Sequence, residues 1–90
     1  MLVRPAASGN VIVVKITDLV FSPAEVSAKI GDTIEWLNDD FLDHTATADN
    51  ESFDLAIPVG RSARLELKRP GVIPYFCRLH PNMTGAIRVR

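Results

Sequence analysis

An all-β fold, two antiparallel sheets packed as a sandwich, is what this sequence predicts, and three observations carry the prediction. Short apolar segments alternate with a period of two, turn-forming pairs separate them at close intervals, and no stretch sustains a helical period.

The elements follow in chain order. Residues 10–17 (NVIVVKIT) are β-branched and apolar and read as a strand. Residues 24–30 (AEVSAKI) alternate, with Val26, Ala28 and Ile30 on one side, and residues 33–38 (TIEWLN) place Ile34, Trp36 and Asn38 together. Residues 62–68 (SARLELK) add Ala63, Leu65 and Leu67 as another one-sided strand, and VIPYFC and AIRVR complete a set of about seven. Ser22-Pro23, Gly31-Asp32, Pro58-Val59-Gly60 and Pro70-Gly71 supply the turns.

Composition bounds what these strands can build. Ninety residues, 47% of them hydrophobic, make one domain over residues 1–90, with residues 1–9 expected as a loosely ordered N-terminal extension. A chain this short buries only about 60–65% of its unfolded surface, so two facing sheets sharing one core suit it. The net charge is −1 and no basic run appears, which excludes a general nucleic-acid binder. The single cysteine cannot form an internal disulfide. No apolar stretch approaches the roughly 20 residues of a membrane span. MLVRPAASGN has neither the apolar centre nor the length of a secretory signal, so the chain reads as soluble and, if exported, as a mature form.

One stretch stands apart. YFCRLHPNMTG, residues 75–85, holds the only cysteine, one of two histidines and the only internal methionine as Cys77, His80 and Met83. Tyr75 and Cys77 share a face of the preceding strand, and residues 78–84 read as its connection to the final strand, long for a hairpin. Taken singly, each residue is ordinary: a buried inert thiol, a surface imidazole, a gap-filling thioether, and Cys-x-x-His also occurs in zinc sites. Taken together, thiolate, imidazole and thioether are the soft donors that suit copper. A His2Cys site with a weak axial Met needs one more histidine, and the chain has one: His44, in LNDDFLDHTAT, just beyond the Trp36 strand.

The sequence resembles a cupredoxin, of the amicyanin type with the short Cys-x-x-His-x-x-Met ligand loop. The resemblance covers residues 10–90 and rests on VIVVKI, FSPAEVSAKIGDTIEWLN, His44 and PGVIPYFCRLHPNMTGAIRV. It implies a Greek-key β-sandwich, one type 1 copper cycling between Cu(II) and Cu(I), and His44, Cys77 and His80 as equatorial ligands with Met83 axial. It further implies a monomeric electron carrier in the periplasm or another extracytoplasmic space, with redox proteins as donor and acceptor, such as a dehydrogenase and a c-type cytochrome. Where amicyanins usually carry Pro and Asn around the first ligand, this chain has Asp43 and Thr45. An inter-loop hydrogen bond must then come from the Thr45 hydroxyl or be lost. Arg78, Leu79 and Asn82 suggest a more polar surface around His80 than in that family.

Two histidines and one cysteine cannot build a second copper centre, so an enzyme of the multicopper or nitrite reductase kind is not expected. The alternative reading is a copper-binding or delivery module using the same ligands without an electron-transfer role. Residues 39–54 hold six acids and no base while residues 61–90 hold seven bases and one acid, a layout that polarises the chain toward a charged partner.

Overall fold

Alternation in β1 (Val11–Thr17) turns Val14 and Ile16 into the core and leaves Val11 and Val13 outside. The computed structural model describes residues 9–90, and among them every regular element is a strand: β2 (Val20–Ser22), β3 (Glu25–Ala28), β4 (Thr33–Asn38), β5 (His44–Ala48), β6 (Asp54–Ile57), β7 (Ser62–Glu66), β8 (Gly71–Cys77) and β9 (His80–Val89). The extension expected over residues 1–9 lies outside the described residues except for Gly9.

Two sheets form, ordered β2-β1-β4-β7 and β3-β9-β8-β5-β6. The sandwich is as the sequence predicts, but each sheet is mixed: β1 runs parallel to β4, and β3 parallel to β9. Chain tracing explains the parallel pairs. After β2 the chain crosses to the other sheet at Ser22-Pro23, a cis peptide, and crosses back at Gly31-Asp32 to enter β4 in the direction of β1. Gly31 takes the left-handed conformation (φ 98°) that this turn requires. The Asp32 carboxylate fastens it by accepting the Asn10 and Lys29 N–H groups at 2.9 Å each. Ile30, expected inward with Val26 and Ala28, instead lies exposed in this turn, two residues beyond the end of β3, where strand alternation no longer applies.

The inner faces meet around four aromatic rings. Tyr75 packs edge-on against Phe21 at 4.8 Å and against Trp36 at 5.4 Å, and Phe53 completes the group. Full burial of a side chain of this kind stabilises by about 1.5–3 kcal/mol, and edge-to-face geometry adds about 0.5–1.5 kcal/mol per pair. Packing on this scale ties β4 to β8 between the sheets, and Tyr75 lies two residues before Cys77 on β8.

Candidate metal centre

His44 opens β5, Cys77 closes β8 and His80 opens β9, and these three strands are neighbours in one sheet. All three side chains therefore emerge at the same end of the sandwich. The Cys77 sulfur lies 3.6 Å from Nδ1 of His44 and 3.7 Å from Nδ1 of His80, and the three donor atoms fall within 4.8 Å of one another. Two donors about 2.0–2.3 Å from one ion at a trigonal angle are separated by nearly that much. Met83 is buried beside them and shares with His80 a pocket lined by Leu19, Leu79, Pro81 and Asn82.

The ligand hairpin is tighter than the sequence suggests. Residues 78–84 do not form one open loop: Cys77 pairs with His80 across a two-residue turn, and the register slips between Phe76 and Cys77, because Phe76 pairs with Thr84. Residues 81–83 are the excess on the β9 side. Pro81, which has no N–H to give a ladder, suits this bulge.

Burial differs between the two imidazoles. His44 is 1% exposed, whereas His80 is half-buried at the mouth of the pocket. On the inner side, Asp40 Oδ2 accepts from His44 Nε2 at 3.0 Å. Asp40 is ionised, its carboxyl held below the usual carboxylate range first by the Leu19 N–H, then by the Phe41 N–H and His44. An ionised carboxylate only accepts, so Nε2 carries the proton of the neutral His44 tautomer, the form whose Nδ1 lone pair faces the sulfur. The loop that carries Asp40 is itself pinned: buried Asn38 donates to the carbonyls of Leu42 and Ile57 at 2.8 Å each and accepts the Asp40 N–H at 2.9 Å. Asp43 accepts the Val59 N–H at 3.0 Å.

A thiol flanked by two inward-facing imidazole nitrogens, with a buried thioether beside them, is the donor chemistry of a type 1 copper site. The sequence pattern of the cupredoxin-like domain matches residues 3–89. This chain belongs to the cupredoxin-like family. It is 31% identical to amicyanin-alpha of Methylorubrum extorquens over 91 aligned positions, covering 94% of this chain and 74% of that protein. Among solved structures, the Cu(I) form of an amicyanin methionine-to-alanine variant superposes with a TM-score of 0.82 at 25% identity, over 88% of this chain and 81% of that one. A copper-containing nitrite reductase from Thermus scotoductus matches at 26% identity and TM-score 0.81, over 88% of this chain but only 22% of the larger enzyme.

Within this cupredoxin the Thr45 question has an answer. The Thr45 hydroxyl accepts the Arg78 N–H at 2.8 Å, so an inter-loop bond is present, and the Thr45 N–H points at the Cys77 sulfur at 3.3 Å. Of the residues expected to make the surface around His80 polar, Leu79 and Asn82 line its pocket with Leu19, Pro81 and Met83, while the Arg78 guanidinium is engaged by Asp54 at 2.9 Å. Sequence reasoning missed Asp40 as the partner of His44. Its place four residues before a candidate ligand was the available signal, hidden in a run of acids.

Proposed function

We propose that this cupredoxin is a small one-electron carrier in which His44, Cys77 and His80 would hold a single copper, with the Met83 thioether as a weak fourth donor. The observation that carries the reading is the Cys77 sulfur set 3.6 and 3.7 Å from two imidazole Nδ1 atoms. Copper bound there supplies a Cu(II)/Cu(I) couple whose potential depends on the axial ligand and on the hydrogen bonding and apolarity around the sulfur.

The chain's own residues supply rigidity and access. Cys77 is fully buried and receives the Thr45 N–H, His44 is clamped by Asp40, and the core beneath them is close-packed, so the donors are held in one arrangement regardless of the charge between them. Half-buried His80, in its apolar pocket, is the edge through which an electron passes to a docked redox protein. Redox proteins as donor and acceptor, a dehydrogenase and a c-type cytochrome among the classes the resemblance suggests, complete the proposal. So do an extracytoplasmic location and a single domain over residues 1–90 working as a monomer. No helix of the described residues is long and apolar enough to cross a membrane.

Addition of Cu(II) to the metal-free protein tests the reading. One equivalent produces an intense visible thiolate-to-copper band, and Cys77→Ser abolishes it. A band that survives in Cys77→Ser disproves the ligand assignment. Fast electron self-exchange with tight copper retention separates a carrier from a delivery module, which releases copper readily.

A further inference from the structure

Two hydroxyls lie out of water on the face of β5 opposite His44. Strand alternation places His44, Ala46 and Ala48 toward the core and Thr45 and Thr47 on the other side, where sheet residues are ordinarily wet, yet Thr45 is 3% and Thr47 8% exposed. Buried hydroxyls need partners, and these have a connected set. Thr45 Oγ1 lies 2.9 Å from Thr47 Oγ1, Thr47 Oγ1 donates to Asp54 Oδ1 at 2.8 Å, and the same oxygen accepts Arg78 Nε at 2.9 Å. The Arg78 backbone N–H returns to Thr45 Oγ1 at 2.8 Å and closes the ring.

Proton counting fixes the direction of every bond. Asp54 is held ionised, first by Arg78 and then by Thr47, and accepts only. Thr47 therefore spends its single proton on Asp54, Thr45 must give its own to Thr47, and the Thr45 oxygen is left with lone pairs for the Arg78 N–H. With its side chain locked, the Thr45 backbone N–H is held on the Cys77 sulfur at 3.3 Å, while Arg78 adjoins Cys77 in the chain. The Arg78–Asp54 ion pair is half-exposed, and pairs of that kind contribute little alone. Its role here is to orient buried hydroxyls.

Resting on the copper-carrier reading above, we propose that Thr47, Asp54 and the Arg78 side chain are positioning residues for the Cys77 thiolate: their hydrogen-bonded ring fixes the Thr45 N–H on the sulfur and so helps set the reduction potential. An N–H dipole aimed at the sulfur favours the state with one more electron, so loosening it lowers the potential.

Thr47→Val is the decisive variant because it breaks the ring at its centre, keeps side-chain volume and leaves every charge in place. In metal-free protein, amide hydrogen exchange read by NMR should accelerate at Thr45 and Arg78 by about tenfold or more while core amides such as Trp36 and Ile87 are unchanged. In copper-loaded protein the potential should fall. Thr47→Ser, which keeps the hydroxyl, should restore both. Should Thr47→Val fail to fold, Asp54→Ala at its half-exposed position removes the terminal acceptor and gives the same exchange readout. Unchanged exchange at Thr45 and Arg78, acceleration spread equally over the core, or no rescue by serine overturns the proposal. The exchange measurement needs no copper, so failure of the copper reading and failure of the ring are told apart.

Discussion

Asp40 Oδ2 accepts hydrogen bonds from both His44 Nε2 and the Leu19 N–H, each at 3.0 Å, and so ties a buried imidazole to the turn between β1 and β2. That turn has Asp18 and Leu19 in left-handed conformation, φ 53° and 61°, the geometry of a two-residue hairpin whose twist matches its strands.

Removing this carboxylate should weaken metal binding more than it weakens the fold. Partners that orient a metal-bound histidine are typically worth 10–100-fold in affinity, so Asp40→Ala should raise the copper dissociation constant by about that factor in chelator competition. Asp40→Asn, which keeps an acceptor oxygen, should lose less. Equal affinity in Asp40→Ala and the parent would show that His44 needs no such support.

Acid should expose three carboxylates together. Asp40 is held low chiefly by the Leu19 N–H, Asp32 by the Lys29 N–H and Asp54 by Arg78, each below the ordinary value of 3.8. A depressed folded pKa gives stabilisation that is complete above the unfolded value and is lost as pH falls through the folded one. Thermal midpoints of the metal-free protein should therefore hold down to about pH 4 and decline below it, and Asp32→Asn should flatten that decline.

Met83→Leu should keep copper and colour while shifting the potential upward, because loss of a weak axial donor disfavours Cu(II) more than Cu(I). Voltammetry reads the shift. Copper loss as severe as in His44→Ala would remove Met83 from its axial role.

Tyr75 is the only tyrosine, which makes its titration clean to read. Burial, the larger effect, pushes its phenol up to about 12 against the neighbouring Trp36 side chain, and no hydrogen bond joins the two. A raised folded pKa stabilises below the unfolded value near 10 and is lost as pH rises through the folded one. Ultraviolet titration should show no phenolate until about pH 12 or until unfolding, whichever comes first. Tyr75→Phe, which removes a buried hydroxyl that has no partner among the described residues, should leave stability unchanged or raise it by about 1 kcal/mol.

Gly85→Ala should destabilise. A Cβ there would stand 2.5 Å from Tyr75 Cζ and 2.6 Å from its hydroxyl oxygen, and the ring is backed by Phe21 and Trp36 and has no room to retreat. Overpacking of this kind costs about 1–3 kcal/mol, measurable as a lower denaturant midpoint. Tyr75→Phe would relieve only the oxygen contact and should restore little.

The sequence by itself determined the sandwich and the candidate donors. Period-two alternation in 11–17, 33–38 and 72–77 puts Ile16, Trp36 and Tyr75 inward whatever the strand order, because side-chain direction along a strand is a local property. Cys77, His80 and Met83 lie within seven residues, so their chemistry was readable as spacing. Tertiary structure decided the rest. The parallel pairing of β1 with β4 depends on where the chain crosses between sheets, which alternation does not encode. Asp40 and Asp54 look in sequence like members of a solvated acidic run. Only folding brings Asp40 to the Leu19 N–H, 21 residues away, and Asp54 to Arg78, 24 residues away. A hydrogen bond is set by distance and angle between atoms, and for partners so far apart along the chain those are fixed by the packing of both sheets rather than by any local pattern.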